Sequence, residues 1–193
     1  MNLGIFVSGR GSNLQAIINA IKESVLPNTT ISVVISNNAK AAALHKARSA
    51  DIPRYHIDGH AADRQGVVLL KFYNVNLVVL AGYLKHIGPL VLTAYRGKII
   101  NIHPALLPRH GGKGMYGDKV HKAVLDAKEK ITGVTIHQVE KEYDTGKIIK
   151  QVEVPVLAND TVKSLGDRIS ELEHRLIVEE LIKILVKERI LAC

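Results

Sequence analysis

The sequence predicts an α/β fold: a doubly wound, mostly parallel sheet that ends in an antiparallel strand pair and a long C-terminal helix. Three observations predict it. Short continuous apolar runs alternate with amphipathic segments, a glycine-rich turn follows the first of those runs, and two late segments alternate apolar with polar residues.

Taken in order, the apolar run Leu3–Val7 ends in Ser8 and Gly9, as a buried parallel strand ends at a turn. A helix is expected from near Ser12, because Leu14, Ile17, Ile18 and Ile21 recur at helical spacing. Thr30–Ile35 is β-branched and strand-like. The alanine-rich NAKAAALHKARSA reads as a helix, with Pro53 shortly beyond its end. Asp63 to about Tyr73 reads as another helix, weakened by Gly66. NLVVLAGY and GKIINIHP are buried strands, and Val120–Lys128 is helical. ITGVTIHQVE and KIIKQVEVPV alternate as a half-exposed antiparallel pair would. Thr161–Val186 is a long amphipathic helix with Leu165, Ile169, Leu172, Leu176, Ile177, Leu181, Ile184 and Leu185 on its apolar side. The alternation of strand and helix specifies a Rossmann-like sheet, and no repeat or linker interrupts residues 1–193, so one domain is expected.

Composition narrows the function classes. The chain has 47% apolar and 23% charged residues, as a soluble globular protein does. Aromatic residues make up only 4% and tryptophan is absent, so the stacking platforms of single-strand nucleic-acid binders are not expected. The net charge of +8 is dispersed, with no basic run longer than two, and suits a small polyanionic substrate better than nucleic acid. The one cysteine is Cys193, which excludes an intrachain disulfide and any multi-cysteine metal site. The apolar start LGIFV is too short for a signal sequence or a membrane span, so a cytoplasmic protein without membrane attachment is expected.

The turn SGRGSN lies between the first strand and the first helix, at the crevice end of an open α/β sheet. Glycines at 9 and 11 allow a tight turn, and the helix start at Ser12 and Asn13 offers free N–H groups to a phosphate. The alternative is a capped turn without ligand. A dinucleotide fingerprint needs glycine at position 14, which is Leu14, so a single phosphate fits better than a pyrophosphate.

At the tip of the fourth strand, Asn101 and His103 are two apart and share one face. Pro104 then stops the ladder. An amide beside an imidazole can polarise a carbonyl and shuttle a proton; a histidine bonded only within its loop is the alternative. GGKGMYG is not a nucleotide P-loop, since that motif needs glycine at Leu107 and Ser or Thr at Gly114. It reads either as a flap that brings Lys113 or Tyr116 over a ligand or as a plain surface loop. Asp144, in YDTGKII, stands alone in an alternating α/β pattern, which excludes an aspartic protease. Facing His103, it would favour the imidazolium and raise that pKa. His56 and His60 are four apart without a carboxylate cluster, and no metal site is expected.

In order along the chain, SGRGSNLQAII, LVVLAGYLKHI, NIHPALLP, GGKGMYG, TGVTIHQV, YDTGKII and ISELEH together resemble the glycinamide ribonucleotide transformylases, the folate-dependent phosphoribosylglycinamide formyltransferases. The resemblance implies the formyltransferase fold and formyl transfer from 10-formyltetrahydrofolate, a co-substrate, to the amine of glycinamide ribonucleotide in de novo purine (IMP) biosynthesis. It implies Gly11, Ser12 and Asn13 for the substrate phosphate, and Leu84, Lys85, His86 and Ile87, with Asn101, for the folate. Asn101 and His103 would stabilise the oxyanion, Asp144 would keep His103 protonated, and Glu173 would lie near the substrate's amine. The implied partners are these small molecules, and a homodimer is common among bacterial members. The chain departs from the family pattern at Lys85 (usually Arg), His86 (usually apolar), Ala105 (usually Ser) and Lys147 (commonly Pro), and the segment near HAADRQGV is short; Arg64 is not assigned to the folate. Among folate relatives, a methionyl-tRNA formyltransferase would carry a further C-terminal domain and a formyltetrahydrofolate deformylase an N-terminal one. A non-catalytic nucleotide-binding module is the reading from another class.

Overall fold

A computed structural model describes the backbone of residues 1–191 and the side chains of residues 1–187, so Cys193 lies outside the described residues. The chain alternates β1 (Asn2–Val7), α1 (Ser12–Lys22), β2 (Thr30–Ser36), α2 (Ala42–Ser49), β3 (Arg54–His56), α3 (Ala62–Phe72), β4 (Leu77–Leu80), α4 (Pro89–Ala94) and β5 (Ile99–His103). It continues with α5 (Asp118–Asp126), β6 (Ile131–Gln138), β7 (Ile148–Pro155) and α6 (Val162–Leu191). One seven-stranded sheet has the order β3-β2-β1-β4-β5-β6-β7. The first five strands in sequence are parallel; β6 runs antiparallel to β5, and β7 to β6.

The strand order reverses at β1, which has β2 on one side and β4 on the other. In an open α/β sheet, loops leaving such a switch point diverge to opposite faces and open a crevice beyond the carboxyl ends of the strands. That crevice is where the turn after β1, the loop after β4 and the tip of β5 meet.

Two cores hold the sheet. On one face, Leu3, Ile5 and Val7 of β1 pack against Leu14 and Ile17 of α1, Ala43 and Ala47 of α2, Val124 of α5, and the α6 stripe Leu165, Ile169, Leu176, Ile177 and Leu181. On the other, Phe6, Val33, Ile35 and Val78 pack against Leu70 of α3 and Val91 and Tyr95 of α4. Each fully buried side chain of this size contributes about 1.5–3 kcal/mol of transfer free energy. The α6 helix begins where Thr161 caps it: Ser164 N–H donates to Thr161 Oγ1 (3.1 Å) and Thr161 N–H donates to Ser164 Oγ (2.9 Å). Among the described residues no helix is long and apolar enough to cross a membrane.

Three features differ from the sequence reading. The short elements β3 and α4 carry no periodic apolar signal, all three residues of β3 being exposed. The α5 helix starts at Asp118 and α6 reaches Leu191, both past the predicted bounds. Finally, β6 is buried on both faces except at its ends. Its inward polar residues are accommodated by hydrogen bonds: Thr135 Oγ1 donates to Ala105 C=O (2.6 Å) and accepts from Leu107 N–H (3.1 Å). An alternating pattern reports polarity, and here the polar face turns to a bonded interior instead of to water.

Candidate active site

The crevice beyond β1, β4 and β5 is one continuous cleft. It is lined by the turn Gly9–Asn13 after β1, by Asn101 and His103 of β5, and by Asp144. The turn exists because Gly11 adopts a left-handed conformation (φ 67°), and a Cβ there would stand 2.6 Å from Ala43 Cβ. This conformation starts α1 at Ser12, whose first N–H groups have no intrahelical acceptor and are free for an anion. Asn13 is buried and its Oδ1 has no partner. Behind the turn, Lys46 of α2 donates to Gly11 C=O (3.2 Å), a cation that the sequence pattern did not single out. Gly11→Ala is expected to lower stability by about 1–3 kcal/mol, read as a drop in the thermal midpoint, through overpacking against Ala43 and the disfavoured φ.

At the tip of β5, register does the work. The β5–β6 pairing sets Asn101 opposite His137 and His103 opposite Thr135. Asn101 Nδ2 lies 3.0 Å from His137 Nε2, while His137 Nδ1 lies 2.7 Å from Gln138 C=O. The carbonyl takes the Nδ1–H, which leaves Nε2 to accept from the Asn101 amide and orients it. His103 Nε2 donates to His110 C=O (2.9 Å), and His103 Nδ1 faces Asp144 Oδ2 at 3.7 Å. Asp144 also accepts from Gly112 N–H (2.8 Å) and lies 3.5 Å from His137 Nε2. Asp144 is held at φ 57°, an uncommon left-handed conformation for a residue with a side chain. Such strain is concentrated at sites whose surroundings over-determine it.

The electrostatics correct one expectation. Asp144 does pull the His103 pKa upward, as does the His110 carbonyl, but burial is the largest influence and the imidazole ends below its ordinary value. In the free protein, burial thus outweighs the pull of Asp144 on the His103 imidazole. Burial also pushes Asp144 up, yet the donors around it, the Gly112 N–H among them, outweigh that and keep the carboxylate below its usual range.

Asn101, His103 and Asp144 share one cleft with the glycine turn, and the formyl transferase family matches residues 1–181. The chain belongs to that family. It is 42% identical over 194 residues to the chloroplastic phosphoribosylglycinamide formyltransferase of Vigna unguiculata, covering 97% of this chain and 62% of the relative. It is also 35% identical over 180 residues to the phosphoribosylglycinamide formyltransferase of Escherichia coli, covering 90% of this chain and 82% of the relative. A crystal structure of the Bacillus halodurans phosphoribosylglycinamide formyltransferase superposes with a TM-score of 0.89 at 36% identity, covering 97% of each chain. The chain thus spans a little under two thirds of the length of its plant relatives.

In this member of the formyl transferase family, Leu84, Lys85, His86 and Ile87 all line the cleft on the loop after β4. The loop is tied to the first turn, because Leu84 N–H donates to Ser8 Oγ (2.8 Å). The His86 departure has a structural consequence. Its Nε2 hydrogen-bonds Lys141 C=O and its ring meets Tyr143 edge-on at 4.9 Å, which joins the loop after β4 to the loop that carries Asp144. Tyr116 of the GGKGMYG segment lines the cleft, whereas Lys113 and Arg64 are not among its lining residues. Gly112, at the base of that segment, is pinned by Asp144.

Glu173 of α6 also lines the cleft, beside Asn13 and within the field of Arg10. The α6 stripe Leu165, Ile169, Leu176 and Ile177 packs in the same core as Leu14 and Ile17 of α1, which brings Glu173 beside the start of that helix. Burial pushes the Glu173 carboxyl up to about 7, against the opposing pull of Asn13 and Arg10. Below pH 4.5 the group is protonated in folded and unfolded chains alike, so it has no effect there. From pH 4.5 to about 7 the folded state keeps a proton that the unfolded state releases, and stability falls as pH rises. Glu173→Gln is expected to be more stable than the parent at pH 8 by about 1–3 kcal/mol and equal to it near pH 4, as read from thermal midpoints across that range.

Thr135, His137, His110 and Lys46 are the site residues that sequence reasoning missed. Only His137 carried a usable signal, since TGVTIHQV sets it two residues from Thr135 on one face of a strand predicted to be polar on that side.

Proposed function

We propose that the protein transfers the formyl group of 10-formyltetrahydrofolate to the amine of glycinamide ribonucleotide, a step of de novo purine (IMP) biosynthesis. One observation carries the reading: Asn101, His103 and Asp144 line the same cleft as the Gly11–Ser12–Asn13 turn, the first two and the turn standing at strands on either side of β4. A substrate with a phosphate at one end and an amine at the other spans such a cleft, and the loop Leu84–Ile87 flanks it for the folate.

The chemistry follows from the groups present. The neutral amine attacks the formyl carbon and the carbonyl π electrons move to oxygen. The Asn101 amide N–H, oriented by His137, faces that oxygen. Negative charge on the oxygen reverses the balance at His103: it favours the imidazolium that burial alone disfavours, so the proton leaving the amine is taken up as the oxyanion forms. The Asp144 carboxylate, kept ionised, supports that imidazolium. Collapse re-forms the carbonyl and breaks the bond to folate N10, which takes the proton from the His103 imidazolium and returns the ring to its starting state. No covalent enzyme intermediate is needed; the protein contributes orientation and a preorganised field.

The test is direct. Purified protein mixed with 10-formyltetrahydrofolate and glycinamide ribonucleotide is expected to release the deformylated folate only when both are present. Release without the ribonucleotide would reassign the protein as a deformylase, and binding of ligands without release would make it a binding module.

A further inference from the structure

The α5 helix carries one side chain that the fold leaves incomplete. His121 is 6% exposed and its Nδ1 has no hydrogen-bond partner. Val120 and Val124, both fully buried, anchor the helix on either side of it and fix the direction in which His121 projects. From α6 the chain approaches the ring at Gly166, where a Cβ would stand 3.0 Å from His121 Cδ2 and 3.3 Å from its Nε2. The fold therefore leaves room for an imidazole there without supplying a group to bond it. Buried polar atoms are otherwise paired almost without exception, and a place where that rule is broken without structural gain marks a site that a ligand completes.

Burial is the main influence on His121 and, against the pull of Asp118 on the same helix, holds its pKa below the ordinary value. Arg10 from the glycine turn and His103 from β5 both bear on it. His121 lines the same cleft as the glycine turn and His103, and a neutral imidazole there would offer one N–H and one lone pair. That combination suits a hydroxyl, which both donates and accepts.

We infer that His121 is a further substrate-binding residue, hydrogen-bonding a sugar hydroxyl in the stretch of the ribonucleotide between its phosphate and its amine. This rests on the proposed formyl transfer to glycinamide ribonucleotide. His121→Phe keeps a ring of similar size and removes both nitrogens, and His121→Asn retains a donor and an acceptor in a smaller side chain. For His121→Phe, KM for the ribonucleotide is expected to rise tenfold or more, equivalent to about 1.4 kcal/mol, with KM for the folate within about twofold of the parent. His121→Asn is expected to fall between. A ribonucleotide KM unchanged in His121→Phe overturns the inference. Should either variant fail to fold, the wild-type protein decides: addition of glycinamide ribonucleotide without folate must shift the His121 imidazole ¹⁵N resonances, and resonances that stay put at saturating ribonucleotide overturn it. Absence of formyl transfer in the wild type would instead sink the proposed reaction, while the imidazole resonances still report separately on whether the ribonucleotide meets His121.

Discussion

His103→Ala is expected to lower kcat by about 10³–10⁴-fold while leaving KM for both substrates within a few-fold of the parent. The magnitude combines two roles of one ring. Loss of a preorganised oxyanion donor costs about 10²–10³ in rate, and loss of a positioned acid–base group costs about 10²–10⁴; the two overlap because they act on the same transition state. Ground-state binding is spared because the glycine turn and the loop Leu84–Ile87, which line the rest of the cleft, do not involve the imidazole. Single-turnover rates with saturating folate and ribonucleotide measure the chemical step directly. A loss of less than tenfold would remove His103 from the mechanism. Combining His103→Ala with Asn101→Ala should add much less than the product of the two single effects, since the remaining donor loses its partner at the same oxygen.

Asp144→Asn is expected to reduce kcat by about 10²–10³-fold and to destabilise the protein at neutral pH. The carboxylate accepts from Gly112 N–H and faces His103 and His137 together. An amide keeps one acceptor, turns an N–H₂ toward one of these groups, and removes the charge that favours the His103 imidazolium. The pH dependence has a definite sign. Because the folded-state pKa of Asp144 lies below its ordinary 3.8, its stabilisation is fully present above that value and is lost as pH falls through the folded pKa. The stability difference between parent and Asp144→Asn should therefore be greatest near pH 7 and vanish in strong acid. The His103 ring should also titrate at lower pH in the variant, since burial then acts with less opposition. An unchanged His103 titration, followed by its imidazole resonances, would show that the 3.7 Å pair carries no coupling.

Legibility in the sequence followed the range of the interactions involved. β1, β2, β4 and β5 were readable because each is a short apolar run bounded by turn residues, a signal contained within the element itself. β3 was not, because a three-residue exposed edge strand owes its existence to pairing with β2. The predicted half-exposure of β6 failed for a similar reason: its polar side chains are buried against partners from the loop after β5 and from β7, such as Gln151, which donates to Thr135 Oγ1. Asn101 and His103 were legible as a pair because a two-residue period fixes their common face.

What the sequence by itself determined is therefore the order and type of the long elements, the glycine turn that starts α1, and the shared face of Asn101 and His103. All of these rest on backbone periods and steric limits that act within a few residues. Tertiary structure alone decided that His137 orients Asn101, that Glu173 lies beside Asn13, and that burial outweighs the pull of Asp144 on His103. Each of those depends on strand register, on helix docking, or on how much water burial removes from a charge. None of these quantities exists until segments distant in the chain have come together.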